Sequence, residues 1–450
     1  MKFSSSRAGS STLRARLISK KEKTGRTWTR WGDLFPDCEA PPGIPHGVTV
    51  TVETKRKVGA EMISVDMSKM KVLLALLLGV LFQSPIPAQR DLRVRTPVNI
   101  PDIPGYQTLK CDFHLHTVFS DGSVWPDIRP EEAWREGLDA IAITDHLEYL
   151  PHKEDLPPNH DRSYEIAKPR GDMLRVEVIP GSEITRDMPP GHLNAIFVTA
   201  ASELDTELWR DAVRKAFDQG AFIFWNHPGW AGQQPDGVAK WYPEHTELVE
   251  AGMLHGIEVV NEREYYPEAH RWCIDKKLTM LSNSDVHDPL NLDYEVHQGD
   301  HRPLTLVFAR EKSVEAIKEA LFARRTAVYS GNMLAGDEVF LRPIFEGSIR
   351  VRNASVTVRG RGHAYVQIHN SSDISFELSG KNSFPEISAP ESLKLQAGRT
   401  VLLQVEGTAD ERTGSRQFTL SYVVDNLKIA PERGLPVRFQ ISATFEPVEP

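Results

Sequence analysis

From about residue 106 to residue 330 the chain alternates short apolar runs with stretches of helical period. The runs read as strands at Leu109–Phe113, Ala140–Thr144, Arg175–Pro180, Leu193–Val198, Ala221–Trp225, Gly256–Val260, Leu278–Ser282 and Leu304–Phe308. Between them the pattern predicts helices over Pro130–Gly137, Glu203–Gln219, Glu244–Leu254, Pro267–Lys276 and Ser313–Ala323. Alternation at this spacing predicts a parallel α/β sheet or barrel. After about residue 345 the period changes to two. Val356–Val358, Tyr365–Ile368, Phe376–Leu378, Val401–Val405, Phe418–Val424 and Val437–Phe445 are separated by Gly, Pro, Asn and Ser. They predict a separate all-β module, a small sandwich.

The first ninety residues follow neither pattern. Val72–Phe82 is an uninterrupted apolar run, too short for a membrane span of about 20 residues. With Lys69 and Lys71 before it and Ile86-Pro87-Ala88 after it, the run has the form of a signal peptide. Such a peptide starts at the N-terminus, which makes Met67 or Met70 the expected start and 1–66 a non-native extension. The expected organisation is therefore an extension over 1–66, a signal peptide over 67–88, a barrel over 89–335 and a β domain over 345–450. Cleavage near Ala88 implies export to a bacterial periplasm or beyond.

Composition narrows the class. Hydrophobic content of 40% and charged content of 26% fit a globular protein and set aside disorder and coiled coil. Removing the 14 basic and 7 acidic residues of 1–88 leaves 39 against 55, so the mature chain is markedly more acidic than the full-length charge of −9. That argues against a nucleic-acid-coating surface. Three cysteines, Cys38, Cys111 and Cys273, cannot form a disulfide scaffold. Thirteen of the 16 histidines lie between His114 and His301, which directs the search for chemistry there.

Five of the strand-like runs carry a metal-ligand type at or just past their C-terminal end. The first continues as C-D-F-H-L-H-T-V-F-S-D-G, with His114, His116 and Asp121. A period of two puts both imidazoles on one strand face, within reach of one ion. The others end in T-D-H at His146, G-S-E at Glu183, N-H-P at His227 and S-D-V-H at Asp285 and His287. His192 begins the fourth run and breaks the C-terminal rule. Ends of barrel strands converge on one mouth, where α/β barrels hold their active sites. Nine nitrogen and carboxylate candidates suit two or three divalent ions such as Zn²⁺, Mn²⁺ or Fe²⁺. Individually each has a plainer reading: Asp121 as a turn residue, Asp285 as a helix cap, His192 as a satisfied polar group. Jointly, at the ends of apolar runs, they point to a metal site.

The set H-L-H-T-V-F-S-D-G, T-D-H, G-S-E-I, His192, N-H-P and S-D-V-H resembles the polymerase and histidinol phosphatase (PHP) superfamily over about residues 109–330, with all nine motif positions filled. The resemblance implies a distorted (β/α)7 barrel followed here by the small all-β, sandwich-like domain. It implies one ion on His114, His116, Glu183 and Asp285, a second on Glu183, His192 and His227, and a third on Asp121, His146 and His287. The β module, the signal peptide and the stretch His301–Phe308 are similar to secreted bacterial phosphodiesterases that act on small diesters.

The implied chemistry is hydrolysis of a phosphate ester by a hydroxide bridging a di- or trinuclear site, with no protein nucleophile. Asp285 or Asp145 could accept the water's proton, and Asp145 could instead orient a ligand. Arg186 and Arg263 are candidates to pair with a phosphate oxygen or to form surface ion pairs. The long segment 147–174 reads as a lid. The expected partner is a small phosphate ester, phosphodiesters first. A histidinol-phosphatase-like monoesterase, a 5′–3′ exonuclease and a metal-stabilised surface-binding protein are the alternatives.

Overall fold

The computed structural model describes residues 95–448; the extension expected over 1–66 and the signal segment expected over 67–88 lie outside them. In chain order the first part holds β1 (Gln107–Asp112), α1 (Ile128–Glu136), β2 (Ala140–Ile143), α2 (Arg162–Leu174), β3 (Glu177–Ile184) and β4 (Leu193–Ile196). There follow α3 (Trp209–Asp218), β5 (Phe222–Trp225), α4 (Pro243–Glu250), β6 (Gly256–Asn261), β7 (Glu264–Tyr265), α5 (Pro267–Lys276) and β8 (Thr279–Asn283). It closes with α6 (Leu290–Asp293), β9 (Leu304–Ala309), α7 (Val314–Phe322), β10 (Thr326–Ser330), β11 (Met333–Gly336) and α8 (Glu338–Ser348). All eight apolar runs are strands. β2, β4, β5, β6 and β8 are buried at every position, as strands covered on both faces must be.

The sheet is mixed rather than parallel. β1, β2 and β3 run parallel, β4 runs antiparallel to β3 and β5, and β5, β6 and β8 are parallel again. The segment between β3 and β4 is shorter than the crossover of about a dozen residues that a parallel return needs, so it forms a hairpin. β9 is antiparallel to β1. At the mouth the chain beyond β1 pairs with the chain beyond β8: Leu115 bridges Val286, the His116 amide donates to the Val286 carbonyl, and the Asp285 amide donates to the His114 carbonyl. β1, β2, β3, β4, β5, β6 and β8 thus enclose one space.

The expected lid over 147–174 is corrected. Its second half is α2, packed on β3, with Ser163, Ala167 and Gly171 buried. A Cβ at Gly171 would lie 2.4 Å from Val178 Cγ2 and 2.7 Å from the Val176 carbonyl, so only glycine permits this approach. Just before α2, Asp161 accepts from the Ala201 and Ser202 amides and tethers the segment.

The second part is built from β12 (Ile349–Val351), β13 (Ser355–Arg359), β14 (His363–Asn370), β15 (Phe376–Ser379), β16 (Ile387–Ser388), β17 (Ser392–Leu395), β18 (Thr400–Gly407), β19 (Gly414–Ala430) and β20 (Arg433–Glu446). β12, β14, β18 and β16 form one antiparallel sheet, facing a second that contains β13, β20, β19, β15 and β17. Burial alternates along β13, β18 and β20, as in a sandwich with one solvated face. The β module is all-β as expected but is not separate in its hydrogen bonding. β11 pairs in parallel with β19 at Leu334–Leu427 and Ala335–Lys428, which carries the barrel sheet into the sandwich. One apolar cluster runs from Ile141 and Leu306 through Leu334, Leu341 and Phe345 to Phe376, Leu420 and Phe439. The unpredicted α8 sits at this junction. No helix of the described residues is long and apolar enough to cross a membrane.

Candidate metal centre

Six imidazoles and three carboxylates meet at the barrel mouth. Their donor atoms fall into four overlapping groups, each within 4.8 Å: His116, Asp121, His146 and His287; His114, His116 and Glu183; His114, His227 and Asp285; His146, Glu183 and His192. Every one of the nine sequence candidates is a member. His192, which breaks the C-terminal rule, reaches the mouth because β4 is reversed, so its N-terminal end lies where its neighbours have their C-terminal ends.

The distances describe a cluster built to share charge. His114 Nε2 lies 3.1 Å from Glu183 Oε2 and 3.1 Å from Asp285 Oδ1. His116 Nε2 lies 3.2 Å and 2.9 Å from the same two atoms. His192 Nδ1 is 2.7 Å from Glu183 Oε1, with His227 Nε2 at 3.7 Å. On the outer side Asp121 Oδ1 is 3.3 Å from His287 Nε2 and 3.4 Å from His146 Nε2. Yet Asp121 Oδ1, Glu183 Oε1, His192 Nδ1 and Asp285 Oδ1 are buried and satisfy no hydrogen-bond geometry. Buried donor atoms that converge this closely without satisfied hydrogen-bond geometry are costly unless a cation sits among them. The donor set, imidazole nitrogen and carboxylate oxygen, fits Zn²⁺, Mn²⁺ or Fe²⁺.

Within the cluster the imidazoles and carboxylates also set one another's charge. Burial alone would raise the Glu183 and Asp285 carboxyls, but the surrounding imidazoles hold both well below the usual carboxylate range. Burial alone would lower His114 and His116; the carboxylates outweigh it, Asp285 and Glu258 foremost for His114, and hold His116 up at about 9. Two of the nine candidates also carry backbone strain, with φ of +26° at His227 and +52° at Asp285.

The residues that hold these candidate donors were mostly invisible in the sequence. Glu258, fully buried on β6, accepts from His114 Nδ1 at 2.8 Å, from the His227 amide at 2.7 Å, and from Asn283 and Asn261. A carboxylate inside the apolar run G-I-E-V-V was the signal available for it. Arg129 is also buried, and its guanidinium donates to the carbonyls of His116, Val286, His287 and Asp288, clasping the segments that follow β1 and β8. Arg302, in the stretch His301–Phe308, is buried against Glu136 at 2.6 Å and Asp112 at 3.1 Å and braces the end of β1.

The four catalytic candidates are placed as follows. Asp285 is itself a donor of the cluster. Asp145 accepts from the Thr117 amide and hydroxyl and from the Ser120 hydroxyl, at 2.7–2.8 Å, so its carboxylate holds the loop that follows His116. Arg186 pairs with Glu148 at 2.8 Å and donates to the Thr206 and Glu207 carbonyls, with its Nε buried and unpartnered. Arg263 is exposed, pairs with Asp300 at 2.7 Å and lies over the Tyr294 ring. Cys111 and Cys273 are buried and unpaired.

A mixed α/β barrel with this donor cluster at its mouth, followed by a β sandwich, defines a two-domain PHP-like protein. The chain is 42% identical to a two-domain protein of Bacteroides vulgatus containing a predicted PHP-like metal-dependent phosphoesterase, with a TM-score of 0.72, covering 100% of that chain and 79% of this one. It is 38% identical over 196 residues to an uncharacterized protein of Methanocaldococcus jannaschii, covering 84% of that protein and 41% of this chain. Residues 349–440 match a family model described as an Ig-like domain. The chain belongs to the PHP-like metal-dependent phosphoesterase family.

Proposed function

We propose that this protein is an exported, metal-dependent phosphoric ester hydrolase that favours small phosphodiesters. The observation that carries the reading is the convergence of nine donor residues, four of which present a buried atom that satisfies no hydrogen-bond geometry. His114, His116, Asp121, His146, Glu183, His192, His227, Asp285 and His287 would hold two or three Mn²⁺, Zn²⁺ or Fe²⁺ ions. Such ions supply Lewis acidity toward a phosphoryl oxygen and toward water. In the overall reaction one P–O bond to the leaving alcohol breaks, one forms to the oxygen of water, and the water's proton ends on the alcohol.

The chain's own groups set that reaction up. We assign receipt of the water's proton to Asp285, whose Oδ1 faces His114 and His116, rather than to Asp145. Asp145 fixes the Thr117–Ser120 loop and acts as a positioning residue. Arg186, held by Glu148 and the Thr206 and Glu207 carbonyls, and Arg263, held by Asp300, would each have to exchange a partner to bind a phosphate oxygen. The test is turnover of a chromogenic diester and its monoester by protein stripped with EDTA and then reloaded with Mn²⁺ or Zn²⁺. Activity lost on stripping, restored on reloading and higher on the diester is expected. Activity surviving both EDTA and His116→Ala would falsify the reading.

A further inference from the structure

Two large aromatic side chains stand exposed at the mouth. Trp230 is 46% exposed and Tyr149 is 54% exposed. Single exposed apolar groups are ordinary on protein surfaces. These two differ in position, because each packs on ligand imidazoles. The Trp230 ring lies 5.4 Å from His227 and 5.7 Å from His192; the Tyr149 ring lies 6.0 Å from His146. His146 and His192 are in turn 5.9 Å apart and share Glu183. The four rings therefore form a series with an exposed aromatic at each end. Each aromatic also follows a ligand histidine by three residues, His146 to Tyr149 and His227 to Trp230.

Trp230 is held in place by its own turn. Its amide donates to the His227 carbonyl, and its carbonyl accepts from the Gln233 and Gln234 amides. A Cβ at Gly232 would lie 2.5 Å from Trp230 Cζ2 and 2.6 Å from Cη2, so the indole rests on a bare glycine backbone. Gln233 Nε2 then donates to the Arg186 carbonyl, tying this turn to the strand end that carries Glu183.

We propose that Trp230 and Tyr149 are two platforms that receive the two alcohol arms of a phosphodiester, one on each side of the donor cluster, each arm carrying a flat unsaturated ring. This rests on the phosphoester reading above. A monoester has one arm and engages one platform; a diester engages both. Stacking of a planar ring on an exposed aromatic is the contact such side chains make best.

The experiment measures binding of diphenyl phosphate, methyl phenyl phosphate and phenyl phosphate to the metal-loaded protein by calorimetry, alongside turnover of bis(4-nitrophenyl) phosphate. Diphenyl phosphate is expected to bind about tenfold tighter than methyl phenyl phosphate. Trp230→Ala and Tyr149→Ala should each weaken diphenyl phosphate about 10- to 100-fold, and Trp230→Phe should recover most of the loss. Gly232→Val, which keeps the indole but displaces it, should weaken it too. Wild-type affinity in both alanine variants overturns the platforms. Turnover with unchanged affinity in the variants sustains the hydrolase and removes the platforms. Trp230-dependent binding without turnover sustains the platforms and removes the hydrolase. Neither binding nor turnover removes both.

Discussion

Glu258 shows how much of the centre depends on one buried side chain outside the ligand set. Its carboxylate fixes the His114 ring through Nδ1 and the His227 backbone through the amide, leaving His114 Nε2 free to face Glu183 and Asp285. Glu258→Gln should reduce metal affinity by about 10- to 100-fold, as loss of a group orienting a ligand usually does, measured by titrating stripped protein. Unchanged affinity would show that His114 is oriented by something else. Arg129 belongs to the same scale. Removing its guanidinium takes a buried donor from four carbonyls and from Glu132, and Arg129→Ala should cost about 3–5 kcal/mol in urea unfolding.

Three further histidines set a pH dependence. Burial pushes His245, His255 and His270 down to about 4, from an ordinary 6.5. In each the folded state disfavours the proton that the unfolded chain accepts. Their contribution to stability is therefore complete above pH 6.5 and lost as the pH falls from 6.5 to 4. Thermal midpoints should decline across that window, and replacing His245, which stacks on Trp225 at 3.7 Å, should flatten the decline.

At the scale of elements, legibility followed burial and local signals. The eight apolar runs could be read because strands buried on both faces leave unbroken hydrophobic stretches. α5 was bounded correctly by Pro267 at its start and Lys276 at its end. α7 was legible through Ser313, whose hydroxyl accepts from the Ala316 amide; Ser313→Ala should cost about 1 kcal/mol, read as a shift in denaturation midpoint. α2 was not legible, because Pro169 and Gly171 both argue against a helix until the packing on β3 is known. The reversal of β4 was equally hidden. Its sequence is apolar in either direction, and only the hairpin with β3 sets its sense.

At the scale of the molecule, the barrel and the sandwich share a sheet, a core cluster and the junction helix α8. Asn426 adds a side-chain donor to the Asn332 and Ser375 carbonyls at the same seam. A chain ending at residue 337 would expose Leu334, Ala335 and the unpaired edge of β11. It should be insoluble or lack cooperative unfolding, whereas the full chain should unfold in one calorimetric transition. A soluble truncated barrel with native metal affinity would show the sandwich to be dispensable for folding.

The sequence by itself determined the donors. Histidine, aspartate and glutamate at the ends of apolar runs are marked by residue type and position, and all nine candidates meet at one mouth. It also determined the change from helical and parallel patterning to a two-residue period near residue 345. What the tertiary structure decided is everything that depends on direction and on partners distant in the chain. It decided that β4 runs backwards, which brings His192 to its neighbours, and that Glu258 and Arg129 hold candidate donors from other elements. It joined β11 to β19 across about ninety residues, and set Trp230 and Tyr149 at the two ends of one row of imidazoles. Local sequence carries chemistry and period, whereas strand sense, long-range pairing and the identity of a buried partner exist only once the chain has closed on itself.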